Sequence, residues 1–181
     1  MKALFTRARL IGLGIALTLF ALDQWSKRFV VDTLGLTQVG DHLPLLPFFD
    51  FTRTNNYGVS LGMFPATSLE MRWAMVGALT LVALVVFVWM LREKKMWDIA
   101  ALALILGGAM GNIRDRFLYG YVIDFADFHI GDFRPFLIFN LADAAITIGV
   151  VILLARALFM GEKPATEQDK DQSGPNPAET D

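Results

Sequence analysis

Two carboxylates that share one proton can hydrolyse an amide without metal or thiol. The ionised member draws a proton from a bound water while its protonated neighbour polarises the scissile carbonyl. The chain carries Asp23, Asp115, Asp124 and Asp143 in or beside long apolar runs. An ionisable group inside a membrane span costs about 2.5–3.5 kcal/mol, so each one needs a reason to be there. Asn112, Arg116 and Asn140 accompany them, and such donors could orient a substrate or stabilise a developing oxyanion. Asp23 and Lys27 stand four residues apart and can pair on one helix face. Gly108, Asn112 and Arg116 form a stripe at the same interval, the glycine leaving room for an approaching group. Asn140 and Asp143 are three apart, and Asp143 falls in the first turns of a helix, where the dipole favours carboxylate. Asp124 lies in Tyr121-Val122-Ile123-Asp124-Phe125, an apolar stretch of a loop that could dip back to the interface.

Each of these residues also has a plainer reading. Asp23 with Lys27 reads first as a structural or interfacial pair, and Lys27 and Arg28 can snorkel to the surface. Asp115 and Arg116 would serve as helix-end charges in water, and Asp124 as a solvated loop residue. Asp143, between Ala142 and Ala144, is hardest to explain as ornament. The glycines around Gly108 read as packing devices, since small residues let helix backbones approach closely in lipid.

The elements that must position these groups are four apolar runs, each near the roughly 20 residues a bilayer requires. They cover about 10–31, 72–91, 96–113 and 136–160. The first imitates a signal peptide, but no small-x-small cleavage site follows and the helical pattern continues, so an uncleaved span is expected. The ends of the first and third spans and the start of the fourth face the same side. Topology alone therefore gathers Asp23, Asn112, Asp115, Arg116, Asn140 and Asp143 at one depth. Between the first two spans, Phe48–Thr54 and Val59–Phe64 flank the turn-forming Asn55-Asn56-Tyr57-Gly58, which predicts a small sheet on the membrane surface. The expected fold is an all-α membrane protein with that extracytoplasmic β segment. Its domain would be 1–160, followed by a disordered acidic cytoplasmic tail at 161–181.

Composition agrees. The 181 residues are 55% apolar with a net charge of −2 and a mean hydropathy of +0.48. The tail carries −4 of that charge, leaving +2 on the rest, and neither value suggests a nucleic-acid partner. There is no cysteine, which excludes thiol catalysis, Fe–S centres and a lipidated cysteine on this chain. No metal or other cofactor is implied. Arg92-Glu93-Lys94-Lys95 and the basic N-terminus place both termini in the cytoplasm and the polar cluster at the outer face. A monomer is expected.

The motifs resemble the lipoprotein signal peptidases (signal peptidase II), bacterial aspartic proteases with four spanning helices. Asp23-Gln24-Trp25-Ser26-Lys27 is similar to that family's D-x-x-[ST]-K, and Asn56-Tyr57-Gly58-Val59-Ser60 to its N-x-G-[AV]-[AS]. Gly107 to Arg116 matches G-G-A-x-G-N-x-x-D-R, and Gly120–Phe125 and Phe139–Asp143 match the two aspartate motifs. The resemblance implies that Asp124 and Asp143 are the catalytic pair. It implies that Asp23, Lys27, Asn56, Gly58, Gly108, Asn112, Asp115, Arg116 and Asn140 shape the site or bind substrate. The implied substrates are prolipoproteins carrying a diacylglyceryl-cysteine, cut just before that cysteine in the bacterial inner membrane, with the acyl chains remaining in lipid. In one departure, Arg134-Pro135 replaces the family's usual Trp-Pro and the approach to Asn140 is longer, which predicts a differently shaped loop after Asp124.

Other chemistries fit less well. No H-E-x-x-H occurs, and His42 and His129 stand apart in the text. Gly58-Val59-Ser60-Leu61-Gly62 matches G-x-S-x-G but lacks the strand-to-helix turn of a nucleophile elbow. A glycosidase-type carboxylate pair finds no sugar cleft here. A transport or proton-relay protein would need polar residues through the inner half of the bilayer, where Thr80 and Thr147 are the main candidates. A structural scaffold would tolerate Asp→Asn changes at both aspartates.

Overall fold

The computed structural model describes residues 6–58 and 68–159. Four long helices form the body: α1 (Arg7–Arg28), α2 (Leu69–Arg92), α3 (Met96–Tyr119) and α4 (Leu141–Phe159). All four are long and apolar enough to cross a membrane. The starts of α1 and α2 are set by side chains that occupy the unpaired first-turn N–H groups. Thr6 accepts from the Arg9 amide at 3.4 Å, and Ser68 from the Met71 amide at 3.2 Å. At the other end of α3, Gly120 takes a left-handed conformation (φ 86°), which glycine adopts without strain. The Arg72 guanidinium covers the last carbonyls there, donating to Arg116 at 2.9 Å and Phe117 at 2.6 Å. A five-residue π-helical turn, Phe29–Thr33, extends α1.

Helix α3 is the centre of the bundle: half of it is buried, against about a fifth of each other span. Ile99, Leu102, Ala103 and Leu106 pack there with Ala16, Ala83 and Met90. The outer faces stay apolar, as at Leu17, Val85 and Leu154, which suits a lipid solvent.

Above one end of the bundle lies an antiparallel sheet ordered β1 (His42–Leu46), β2 (Phe49–Asn56), β3 (Val122–Phe128). Of the two strands expected between α1 and α2, Phe48–Thr54 is present as β2, while Val59–Phe64 lies outside the described residues; β1 precedes the expected pair, and β3 comes from the segment after α3. The sheet is seated by Val30, Leu36, Phe125 and Ala126. In the β2–β3 ladder Thr54 faces Asp124 and Asn56 faces Val122, beyond an irregularity after Phe51.

The fourth helix begins at Leu141, a correction to the span start expected at 136. Residues 136–138 are irregular, and Phe139 forms a bridge with Ala126 through hydrogen bonds at 2.7 and 3.1 Å. Pairing to the free edge of β3 outweighs the apolar character that suggested helix, and it delivers Asn140 beside Asp124. Residues 59–67 and 160–181 lie outside the described residues. They include the Ser60 motif and the acidic tail.

Candidate active site

The start of α4 is built by a reciprocal cap. The Asn140 side-chain oxygen accepts from the Asp143 amide at 3.0 Å, and the Asp143 carboxylate accepts from the Asn140 amide at 3.2 Å. This is the capping-box arrangement, legible as N-x-x-D in the sequence. Asn140 does more than cap. Its side-chain amide donates to Asp124 Oδ1 at 2.6 Å and contacts Asn112 Oδ1 at 3.2 Å. Asn112 in turn donates to Asp143 Oδ1 at 2.8 Å. One asparagine thus holds both aspartates, and a second closes the circuit.

Asp124 is 1% exposed, while Asp143 is partly open. Burial, and next the charge of Asp143, push the Asp124 carboxyl up to about 7; hydrogen bonds from Asn140 and Asn56 pull against them. Asn56 belongs to β2, and its side chain also accepts from the Gly58 amide at 3.0 Å, tightening the turn.

Behind this pair lies a charged cluster. Lys27, 2% exposed, bonds Asp23 and Asp115 at 2.8 Å each and reaches Asn112 Oδ1 at 3.2 Å. Buried carboxylates need such partners, since an uncompensated buried charge costs several kcal/mol. Asp23 also accepts from the Ala142 amide at 3.1 Å, tying α1 to the first turn of α4. Arg116, 4% exposed, donates to the Asn112 carbonyl at 3.3 Å and to the Gly58 carbonyl. Its charge is felt by Asp143, Asp124 and Asp115. Gly108 serves close packing: a Cβ there would stand 2.5 Å from the Ala142 carbonyl oxygen.

All eleven residues singled out in the sequence therefore fall in one network or in the packing that holds it. Gln24 was missed. It donates to Asp23 at 3.1 Å and Asp115 at 3.0 Å, and its only signal was an amide next to an aspartate in an apolar helix. The histidines do meet, at Asp50, with distances of 3.3 Å for His42 and 3.1 Å for His129. Among the described residues, however, no group of His, Cys, Asp and Glu is placed to hold a metal. The departure at Arg134 has a local explanation. It pairs with the buried Asp127 at 3.0 Å. Burial opposes ionisation of Asp127, but hydrogen bonds from Arg134 and Thr52 prevail and hold its carboxyl below the usual range.

The family model for signal peptidase II matches residues 15–159. The chain belongs to the signal peptidase II family. It is 53% identical over 152 residues to a lipoprotein signal peptidase of Sphingopyxis alaskensis, covering 84% of this chain and 87% of that one. It is 46% identical over 163 residues to one from Rhizorhabdus wittichii, covering 90% and 94%. A bacterial membrane enzyme solved by the in meso method at 2.3 Å superposes with a TM-score of 0.67 at 26% identity, covering 86% of this chain and 94% of that one. A second, at 1.9 Å, gives 0.69 at 27% identity, covering 82% and 93%. As a member of this family the chain is a membrane-embedded aspartic endopeptidase.

Proposed function

We propose that this enzyme removes signal peptides from prolipoproteins, cutting just before the diacylglyceryl-modified cysteine, with Asp124 and Asp143 as the catalytic pair. The observation that carries the assignment is the hold of Asn140 on both carboxylates, at 2.6 and 3.2 Å. Two carboxylates so placed share one proton. The buried Asp124, whose carboxyl is pushed up to about 7, is the side that keeps it. Asn140 donates to Asp124 Oδ1, and the protonated Asp124 carboxyl donates its hydrogen to the scissile carbonyl. Asp143, in the first turn of α4, accepts from the Asn112 side-chain amide on α3 and the Asn140 backbone amide, a setting suited to a carboxylate, and takes the proton from the attacking water. The tetrahedral intermediate collapses as that proton passes to the leaving amine.

The other assigned residues hold this geometry or meet the substrate. Asp23, Lys27, Asp115 and Asn112 fix the pair from behind, and Asn56, Gly58 and Arg116 form the wall beneath β2. The site lies at the sheet-bearing end of the spans, so the substrate's acyl chains stay in lipid while its scissile bond reaches the aspartates. Arg9, Arg92, Lys94, Lys95 and Arg156 crowd the opposite end, which supports cytoplasmic termini and an outward-facing site.

The substrate assignment is tested by mass spectrometry of the products from a lipidated prolipoprotein peptide. The expected fragment begins with the diacylglyceryl-cysteine. Cleavage elsewhere, or equal cleavage of the unlipidated peptide, would contradict it. Ser60→Ala retains activity on this account; its inactivation would point to a serine mechanism.

A further inference from the structure

On the side of α3 turned away from the aspartates, α1 and α2 diverge and leave a groove of about 850 Å³. Successive helical residues turn by about 100°, so Met110 on its floor points nearly opposite to Asn112 across α3. Leu17 and Phe20 form one wall, Leu84 and Phe87 the other. The Thr80 hydroxyl on that wall is already spent on the Val76 carbonyl at 2.7 Å.

The sheet-bearing end of the groove is different. Arg114 lines it with a side chain 28% exposed, steadied by a hydrogen bond to Gln24. Its acidic neighbour Asp115 is 4.0 Å away and shares Lys27 with Asp23 at 2.8 Å each. Among the described residues, Arg114 is thus the one cation lining the groove, with Asp115 only at the limit of ion-pair distance. Trp73 packs edge-on against Phe117 at 5.4 Å beside it, and such aromatic residues sit at headgroup depth.

Length and chemistry select the occupant. From Leu106 to Leu118 the helix rises about 18 Å, close to the hydrocarbon depth of one leaflet, about 15 Å. Helices that pack in lipid need small residues and polar contacts. This groove offers mostly Leu, Phe, Met and Ile, with one cation at its mouth. A flexible chain with an anionic head fits both features.

We propose that the groove is a binding site for one membrane glycerophospholipid, with an acyl chain along α3 and the phosphate on Arg114. The lipid is a resident of the bilayer and not the substrate's own diacylglyceryl group, because the aspartates lie around the far side of α3.

The test is native mass spectrometry of the full-length protein titrated with phosphatidylglycerol. One lipid is expected to remain bound more tightly than the rest. Arg114→Gln weakens it about fivefold, the effect of one arginine–phosphate contact. Arg28→Gln removes an exposed charge at the same end but outside the groove, and leaves the lipid bound. Leu84→Trp fills the groove and displaces the lipid with Arg114 intact. Equal losses in the two arginine variants would reduce the effect to general electrostatics and overturn the proposal, as would full retention in Leu84→Trp. A raised KM for lipidated peptide in Leu84→Trp would make the groove a substrate site, which also overturns it.

Discussion

At the scale of single residues, the chemistry depends on one hydrogen held at Asp124. Its carboxyl titrates near 7 rather than at the usual 3.8, through burial first and the Asp143 charge second. Hydrolysis needs that proton, so the rate is expected to fall about tenfold per pH unit above this point. A pH–rate profile with no alkaline decline up to pH 9 would contradict the assignment. Stability has a different window. Between 3.8 and about 7 the folded chain keeps a proton that an unfolded chain releases, so this group's contribution to stability declines as pH rises through that range. Asn140 allows capping and catalysis to be separated. Serine is also a good N-cap, but its short hydroxyl cannot hold Asp124 and Asn112 together. Asn140→Ser is therefore expected to keep the melting temperature within a few degrees while lowering kcat about a hundredfold. A parallel loss of both would make Asn140 structural only. The aspartates themselves were readable in the sequence because charge inside apolar text demands an explanation. Gln24 was not, since a single amide in a helix has no such cost to announce it.

At the scale of elements, backbone approach sets where Asp143 sits. Gly108 lets α3 meet the first turn of α4, and an added Cβ would stand 2.5 Å from the Ala142 oxygen. Gly108→Ala is expected to push α4 outward, costing about 1–3 kcal/mol of stability and most of the activity. Wild-type rates in that variant, measured on protein of intact helical content, would show that the contact does not position the pair. The length of the apolar runs was enough to find the helices, because each span must face core or lipid over its whole surface. It failed at 136–139, where apolar residues equally suit the edge of a sheet. It also left β3 as a loop, since strand pairing across the length of α2 and α3 leaves no local signal.

At the scale of the whole molecule, antiparallel spans of fixed length bring chain-distant residues to one depth, which is why the site could be anticipated before any contact was known. Side was inferred from basic residues alone. The chain has no cysteine, so single substitutions report cleanly. Lys94→Cys is expected to react with a membrane-impermeant thiol reagent only from the cytoplasmic face, and Asp132→Cys only from the outer face. The reverse pattern would invert the topology. The central claim concerns the two aspartates acting together, and purified protein with each changed in turn to asparagine tests it most directly. Both Asp124→Asn and Asp143→Asn are expected to lose cleavage of a lipidated peptide by at least about a thousandfold while keeping native helical content. Retention of the wild-type rate by either variant would contradict the shared-proton mechanism.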